Sequence, residues 1–311
     1  MSAPVPITIW HWAGFVAVVL VLLALDLGVF HRASRIIRPK EALLWTAFWL
    51  LLSLLFAAAV RKWRGPEESL EFITGYFVEF SLSLDNVVAI AVIFTSFGIA
   101  AQYQHRVLFW GILGALVMRG GMIAAGASLI HAFHWVLWLM GLFLIFTGVQ
   151  WAFSRQIAFA PEKNPALRCL RKLLPVSDHC DGPKFLTSIN GRRVLTPLAL
   201  VLLMVEVTDL IFAFDSVPAV FAVTRNTFIV FTSNICAILG LRSLYCAAAR
   251  IIRYSRCLKA GLAAVLIFVG AKMLASAWWT ASTSLSLAVV AAIMAVSTGF
   301  SIRSVRKGGK P

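Results

Sequence analysis

Five acidic side chains fall within stretches of the sequence that are otherwise apolar. They are Glu79, Asp85, Glu206, Asp209 and Asp215, out of 13 acidic residues in the chain. One charged residue at the centre of a membrane helix costs about 2.5–3.5 kcal/mol on insertion scales, so five without partners would cost roughly 13–17 kcal/mol. Protonation, basic partners, water or a bound cation must offset that cost.

Basic partners account for only part of this negative charge. Arg119, Arg242 and Lys272 also fall within apolar stretches, and ion pairs between them and the five acids are the purely structural interpretation. Three cations against five ionised acids leave two negative charges uncompensated, whereas a structural scaffold is expected to balance its charges. The count therefore favours a cation or proton site, with the three basic residues as counter-charges.

The spacing of the first polar group predicts one face of a helix. Glu79, Ser83 and Asn86 follow each other at four and three residues, and Asp85 lies on the flank of the same stripe. Their carboxylate, hydroxyl and amide oxygens are hard ligands that suit Mn²⁺, Mg²⁺ or Ca²⁺. Cu⁺ and Zn²⁺ fit less well because these stretches contain no Cys or His. Protons remain an alternative.

The second polar group contains Glu206, Asp209, Asp215 and Ser216. In an ideal helix Glu206 and Asp215 point about 180° apart. Pro218 cannot donate to the carbonyl of residue 214, so the sequence predicts a kink or unwinding around 214–218. Such a break would turn Asp215 toward the other acids and would free backbone carbonyls as ligands, which is tolerated where it lines a cavity.

The composition predicts an all-α membrane protein. Hydrophobic residues make up 60% of the 311 residues and charged residues 13%, with a mean hydropathy of +0.88. Lipid must therefore surround much of the chain. The formal net charge of +15 comes from residues scattered between apolar runs, so no nucleic acid partner is expected. Nine apolar stretches predict about nine transmembrane helices: 8–30, 41–60, 70–98, 106–130, 134–153, 195–222, 227–248, 258–276 and 284–302.

Lysine and arginine counts predict the orientation of these helices. The loops and tail on one side hold 21 of these residues, and those on the opposite side hold four. The positive-inside rule then places the N-terminus outside and the C-terminus in the cytoplasm. Residues 154–193, which contain four prolines, form the one long polar segment and are interpreted as a cytoplasmic loop.

Two parts of the sequence resemble each other. SLDNVVAIAV (83–92) aligns with AFDSVPAVFAV (213–223), which matches Asp85 to Asp215, Asn86 to Ser216 and Glu79 to Asp209. The similarity continues in order, with Arg119 matched to Arg242 and LIFTGVQ (144–150) matched to LIFVGAK (266–272). Three repeated helices are an odd number, so the second copy must cross the membrane in the opposite sense. This is the inverted repeat of many transporters, whose substrate site lies between the repeats.

The repeat divides the chain into five parts. Two N-terminal helices (1–60) precede the first repeat (61–153), and the cytoplasmic loop (154–193) leads into the second repeat (194–276). A final helix and a basic cytoplasmic tail (277–311) follow.

Several stretches resemble the TerC/Alx family of integral membrane proteins. They are LDLGVFHR (25–32), KEA (40–42), ITGYFVEFSLSLDNV (73–87), EVTDLIFAFDSVPAVFAVT (206–224) and FIVFTSNICAILGLRSLY (228–245). The resemblance implies a role in metal homeostasis, above all Mn²⁺ export across the inner membrane of a bacterium, and a link to tellurium resistance. It also implies a metal site formed by Glu79, Asp85, Asn86, Glu206, Asp209, Asp215 and Ser216. Family members often carry a lysine where this chain has Gln150.

Two other classes of function stay open. A membrane anchor or assembly factor would recruit a soluble partner through the 154–193 loop and keep the carboxylates for structure. An intramembrane aspartyl protease would use Asp85 and Asp215, but neither follows a glycine. The sequence also lacks a phosphate-binding loop and a GxSxG nucleophile, so no enzyme and no resident cofactor are expected.

Overall fold

The computed structural model describes residues 6–25, 39–133, 135–153, 182, 184–189, 192–248, 256–276 and 282–306. Its helices are α1 (Ile9–Leu25), α2 (Pro39–Arg64), α3 (Pro66–Ser96), α4 (Ala101–Ala132), α5 (Val136–Phe153), α6 (Pro197–Phe221), α7 (Thr227–Leu239), α8 (Leu241–Ala248), α9 (Arg256–Ala275) and α10 (Thr283–Arg306). Each of the nine predicted stretches corresponds to helix, which confirms the polytopic all-α prediction. The stretch 227–248 is divided at Gly240 into α7 and α8.

Within the described residues, seven helical segments are long and apolar enough to cross a bilayer. Two further apolar helical segments, Ile9–Leu25 and Ala260–Ala275, are shorter. Helices α3 and α7 are innermost, and every residue of α7 from Phe228 to Leu239 is buried. Helix α2 instead exposes a large apolar surface, which is the expected face toward lipid.

Local sequence signals explain where the central helices begin. The left-handed conformation of Gly65 (φ 105°) separates α2 from α3 with a single residue. Pro66 and Pro197 occupy the first turns of α3 and α6, where the missing N–H costs nothing. Thr196 caps α6 by accepting from the Ala199 amide, and Asn226 caps α7 by accepting from Phe228.

A short β-hairpin modifies the all-α prediction. Strands β1 (Leu186–Ile189) and β2 (Arg192–Leu195) pair antiparallel immediately before α6. The predicted loop 154–193 therefore ends in regular structure, and the predicted start of the second repeat at residue 194 lies inside β2. Most of that loop, residues 154–181, lies outside the described residues.

The three-helix repeats pack against each other reciprocally. Helix α3, the first of one repeat, packs on α7, the second of the other, and α4 packs on α6 in the same relation. The third helices, α5 and α9, pack on each other. This exchange of equivalent contacts is the pattern that a two-fold axis imposes on an interface.

The α5–α9 contact shows the inversion directly. A Cβ on Gly148 would lie 2.9 Å from the Ala263 carbonyl oxygen, and a Cβ on Gly270 would lie 2.7 Å from the Gly141 carbonyl oxygen. In the sequence repeat, Gly148 corresponds to Gly270 and Gly141 to Ala263, so these two contacts are equivalents of each other. Residue numbers rise along α5 as they fall along α9. The two helices therefore run antiparallel, as an inverted repeat requires.

We expect no room for an added side-chain atom where α5 and α9 cross. Gly148→Ala and Gly270→Ala should each destabilise the protein by about 1–3 kcal/mol, because the added methyl group meets backbone that cannot move aside. The measurement is the thermal unfolding midpoint of the detergent-solubilised protein. Gly121→Ala on α4 is the matched control, because a Cβ there meets nothing within 4 Å. If Gly148→Ala and Gly270→Ala shifted the unfolding midpoint no more than Gly121→Ala does, the close contact between α5 and α9 would be contradicted.

Candidate cation site

A single arginine joins the two repeats at the centre of the bundle. Arg119 lies on α4 with 0% of its surface exposed. Its Nη2 donates to Asp209 Oδ1 at 2.8 Å and its Nε donates to Asp209 Oδ2 at 3.1 Å, a two-pronged contact with α6. Its Nη1 donates to Glu79 Oε1 on α3, and Glu79 is also 0% exposed. One guanidinium thus bridges the two carboxylates that the sequence repeat matches.

Two neutral side chains complete the contacts of this ion-pair group. Arg119 Nη1 also donates to Asn234 Oδ1 at 3.1 Å and to Ser216 Oγ at 3.3 Å. Asn234 Nδ2 donates to Glu79 Oε2 at 2.8 Å, so both oxygens of Glu79 accept hydrogen bonds. Asn234 was not among the predicted site residues. Its signal was an amide in the middle of the apolar run FTSNICAIL, the same kind of signal as the buried acids.

The polar stripe on α3 adjoins this group and contains acceptors without donors. Asn86 Nδ2 donates to Asp209 Oδ1 at 3.3 Å. Asn86 Oδ1 and Ser83 Oγ accept no hydrogen bond in the described structure, although these residues are only 4% and 1% exposed. Buried oxygens of this kind normally have a partner. Their chemistry fits a hard cation or a bound water.

Glu206 lies one turn from Asp209 on α6 and faces α4. Its carboxylate occupies the space beside Gly114, where a Cβ would overlap it. It interacts electrostatically with Asp209, and its Oε2 accepts no hydrogen bond. Asp209 therefore contacts the polar stripe of α3 and Glu206 lies beside Asp209, while their predicted role in a metal site stays a prediction.

Asp215 is not turned toward this group. Helix α6 continues unbroken from Pro197 to Phe221, so the predicted unwinding at 214–218 is wrong. Pro218 lies in the last turn, where only the Phe214 carbonyl loses its helical donor, and the helix tolerates that loss. Asp215 consequently stays on another face and is hydrogen-bonded to Thr147 of α5.

The remaining predicted residues lie in different surroundings. Asp85 is buried on α3 beside Asn86. Lys272 on α9 interacts electrostatically with Glu71 near the start of α3, and Glu71 also accepts from Thr224 at 2.5 Å. Arg242 belongs to α8, but its side chain lies outside the described residues. Of the three predicted counter-charges, the structure therefore places Arg119 against the matched carboxylates and Lys272 elsewhere.

Comparisons with known proteins agree on one family. The model of the integral membrane protein TerC family matches residues 64–308. The chain is 49% identical over 286 residues to an uncharacterised membrane protein of Myxococcus xanthus, which covers 92% of this chain and 90% of the relative. It is 42% identical over 296 residues to a protein of Escherichia coli K12 that carries the name membrane-bound redox modulator Alx, covering 92% of each chain. No solved structure matches.

Removing the bridge should be costly to the fold. Arg119→Met leaves the buried Glu79 and the largely buried Asp209 without their cation, so we expect a loss of about 3–5 kcal/mol in stability. Thermal unfolding in detergent measures it. Arg61→Met, at an exposed position on α2, is the control and should change stability by less than about 0.5 kcal/mol.

A companion variant identifies charge as the cause of the loss. Adding Glu79→Gln and Asp209→Asn to Arg119→Met should restore part of the stability, because neutral groups no longer need a buried counter-charge. If Arg119→Met changed the stability no more than Arg61→Met does, the contact of Arg119 with Glu79 and Asp209 would not stabilise the fold.

Proposed function

Because the chain belongs to the TerC family of integral membrane proteins, we propose that it transports a hard divalent cation, foremost Mn²⁺, across the bacterial cytoplasmic membrane. The observation that carries this proposal is the meeting of Glu79 and Asp209, one from each inverted repeat, on a buried guanidinium. Ionisable groups at such a depth are rare and typically mark an ion pathway.

The charge and the donor atoms of the site suit a divalent cation. Two carboxylates carry a charge of −2, which one divalent ion neutralises and Arg119 alone does not. Asn86 Oδ1 and Ser83 Oγ add two buried neutral oxygens beside them. Carboxylate, amide and hydroxyl oxygens are the ligand set of Mn²⁺, Mg²⁺ and Ca²⁺.

The architecture supplies a route for alternating access. Substrate sites of inverted-repeat transporters lie at the repeat interface, and rocking of one repeat against the other exposes them to each side in turn. Here the carboxylates face each other across the α3–α6 contact, between the first helices of the two repeats. The Lys and Arg distribution favours a cytoplasmic C-terminus, and we propose export as the direction of transport.

A membrane anchor or assembly factor is the alternative function. The Alx relatives carry a name that refers to redox modulation, and this name is a statement about those proteins. For this chain, an anchoring role would rest on residues 154–193, most of which lie outside the described residues. An anchor does not need charged groups at Glu79 and Asp209, so their neutral isosteres separate the two functions.

We expect Glu79→Gln and Asp209→Asn each to lower Mn²⁺ transport by at least about tenfold, since each removes a charged ligand that is worth more than 1.4 kcal/mol in a buried site. The measurement is Mn²⁺ flux in proteoliposomes that contain the purified protein.

Glu67→Gln is the matched control for this experiment. Glu67 lies on the same helix as Glu79 but is exposed in its first turn, so flux should be retained. Equal flux in all four proteins, or none in the wild type with Mn²⁺, Mg²⁺ or Ca²⁺, would refute the transport proposal.

A further inference from the structure

Arg119 holds the oxygens that a cation would need. In the part of the chain that the structure describes, no three His, Cys, Asp or Glu side chains converge as a ready metal site. Glu79 Oε1 and both oxygens of Asp209 instead accept hydrogen bonds from the guanidinium. Lone pairs engaged by N–H donors are not free to coordinate a metal, so Arg119 and a cation compete for the same two carboxylates.

A displaced guanidinium needs another acceptor, because an isolated buried charge is prohibitively costly. Glu206 provides one. It lies three residues from Asp209 on α6, a separation that places Cβ atoms about 5–6 Å apart. Its carboxylate rests against α4, the helix that carries Arg119, and its Oε2 accepts no hydrogen bond.

Gly114 on α4 leaves the space that the Glu206 carboxylate occupies. A methyl group at residue 114 would overlap the Glu206 carboxylate, so the glycine is what lets Glu206 lie against α4. Gly114 and Arg119 are five residues apart on α4, about 7.5 Å along the helix axis, so the guanidinium must swing toward Gly114 to reach Glu206.

Building on the proposed function, we infer that Arg119 is a built-in competitor of the transported cation, and that Glu206 is its second docking carboxylate. When the cation takes Glu79 and Asp209, Arg119 moves to Glu206. When the cation leaves, Arg119 returns and again offsets part of the negative charge of Glu79 and Asp209. Glu206 then acts as a positioning residue through Arg119 and is not itself a ligand.

A double-mutant cycle tests this role. The dissociation constant of Mn²⁺ is measured by equilibrium dialysis for the wild type, Glu206→Gln, Arg119→Gln and the double variant. Glu206→Gln should weaken Mn²⁺ binding about tenfold when Arg119 is present, and Arg119→Gln should tighten it about tenfold. In the Arg119→Gln background, Glu206→Gln should change the constant by less than about twofold, because no arginine remains to be received.

The opposite result is equally clear. If Glu206→Gln weakens Mn²⁺ binding by the same factor in both backgrounds, Glu206 is a direct ligand and the inference is wrong, while the transport proposal stands. If the wild type binds none of Mn²⁺, Mg²⁺ and Ca²⁺, the proposed function itself fails.

Two further variants keep the test decisive. Gly114→Ala should reproduce the Glu206→Gln effect by displacing the carboxylate, whereas Gly121→Ala on the same helix should not. Should Arg119→Gln fail to fold, Arg119→Lys takes its place. Lysine keeps the charge but lacks the two-pronged contact, so Glu206→Gln should weaken binding less than it does in the wild type. An unchanged factor would again overturn the inference.

Discussion

The need to balance buried charge governs this structure. Carboxylates in the interior of a membrane protein are stable only with partners, and Glu79 and Asp209 share one guanidinium that is completely shielded from solvent. The geometry of α3, α4 and α6 follows from that contact, since all three must present a polar group to the same small region. A cation carrier can use the same constraint, because whatever removes the arginine must replace its charge.

The inverted repeat brings the matched carboxylates together, but the two halves are not equivalent around them. Glu79 and Asp209 are related by the repeat, yet both turn to Arg119 of the first half. Asn234, which donates to Glu79, corresponds to Gly111, so the amide has no counterpart in the other repeat. Such asymmetry gives the two carboxylates different surroundings.

The sequence predicted the helices and the repeat well, because both rest on local patterns of apolar and acidic residues, whereas the metal site stays a prediction. The contacts between residues far apart in the chain could not be predicted from such local patterns. The unwinding expected at Pro218 was wrong since a proline in a final turn disrupts one carbonyl and not the helix. The charge count treated Arg119, Arg242 and Lys272 alike, whereas Lys272 interacts electrostatically with Glu71 near the start of α3. Asn234 was missed because the predicted polar groups contain buried acids, whereas its own run FTSNICAIL contains no charged residue.

Anomalous scattering from crystals grown with Mn²⁺ tests the central claim most directly. The account predicts a manganese peak bounded by Glu79, Asn86 and Asp209, with the Arg119 guanidinium withdrawn from both carboxylates. A structure that binds manganese elsewhere while Arg119 still bridges Glu79 and Asp209 would contradict it.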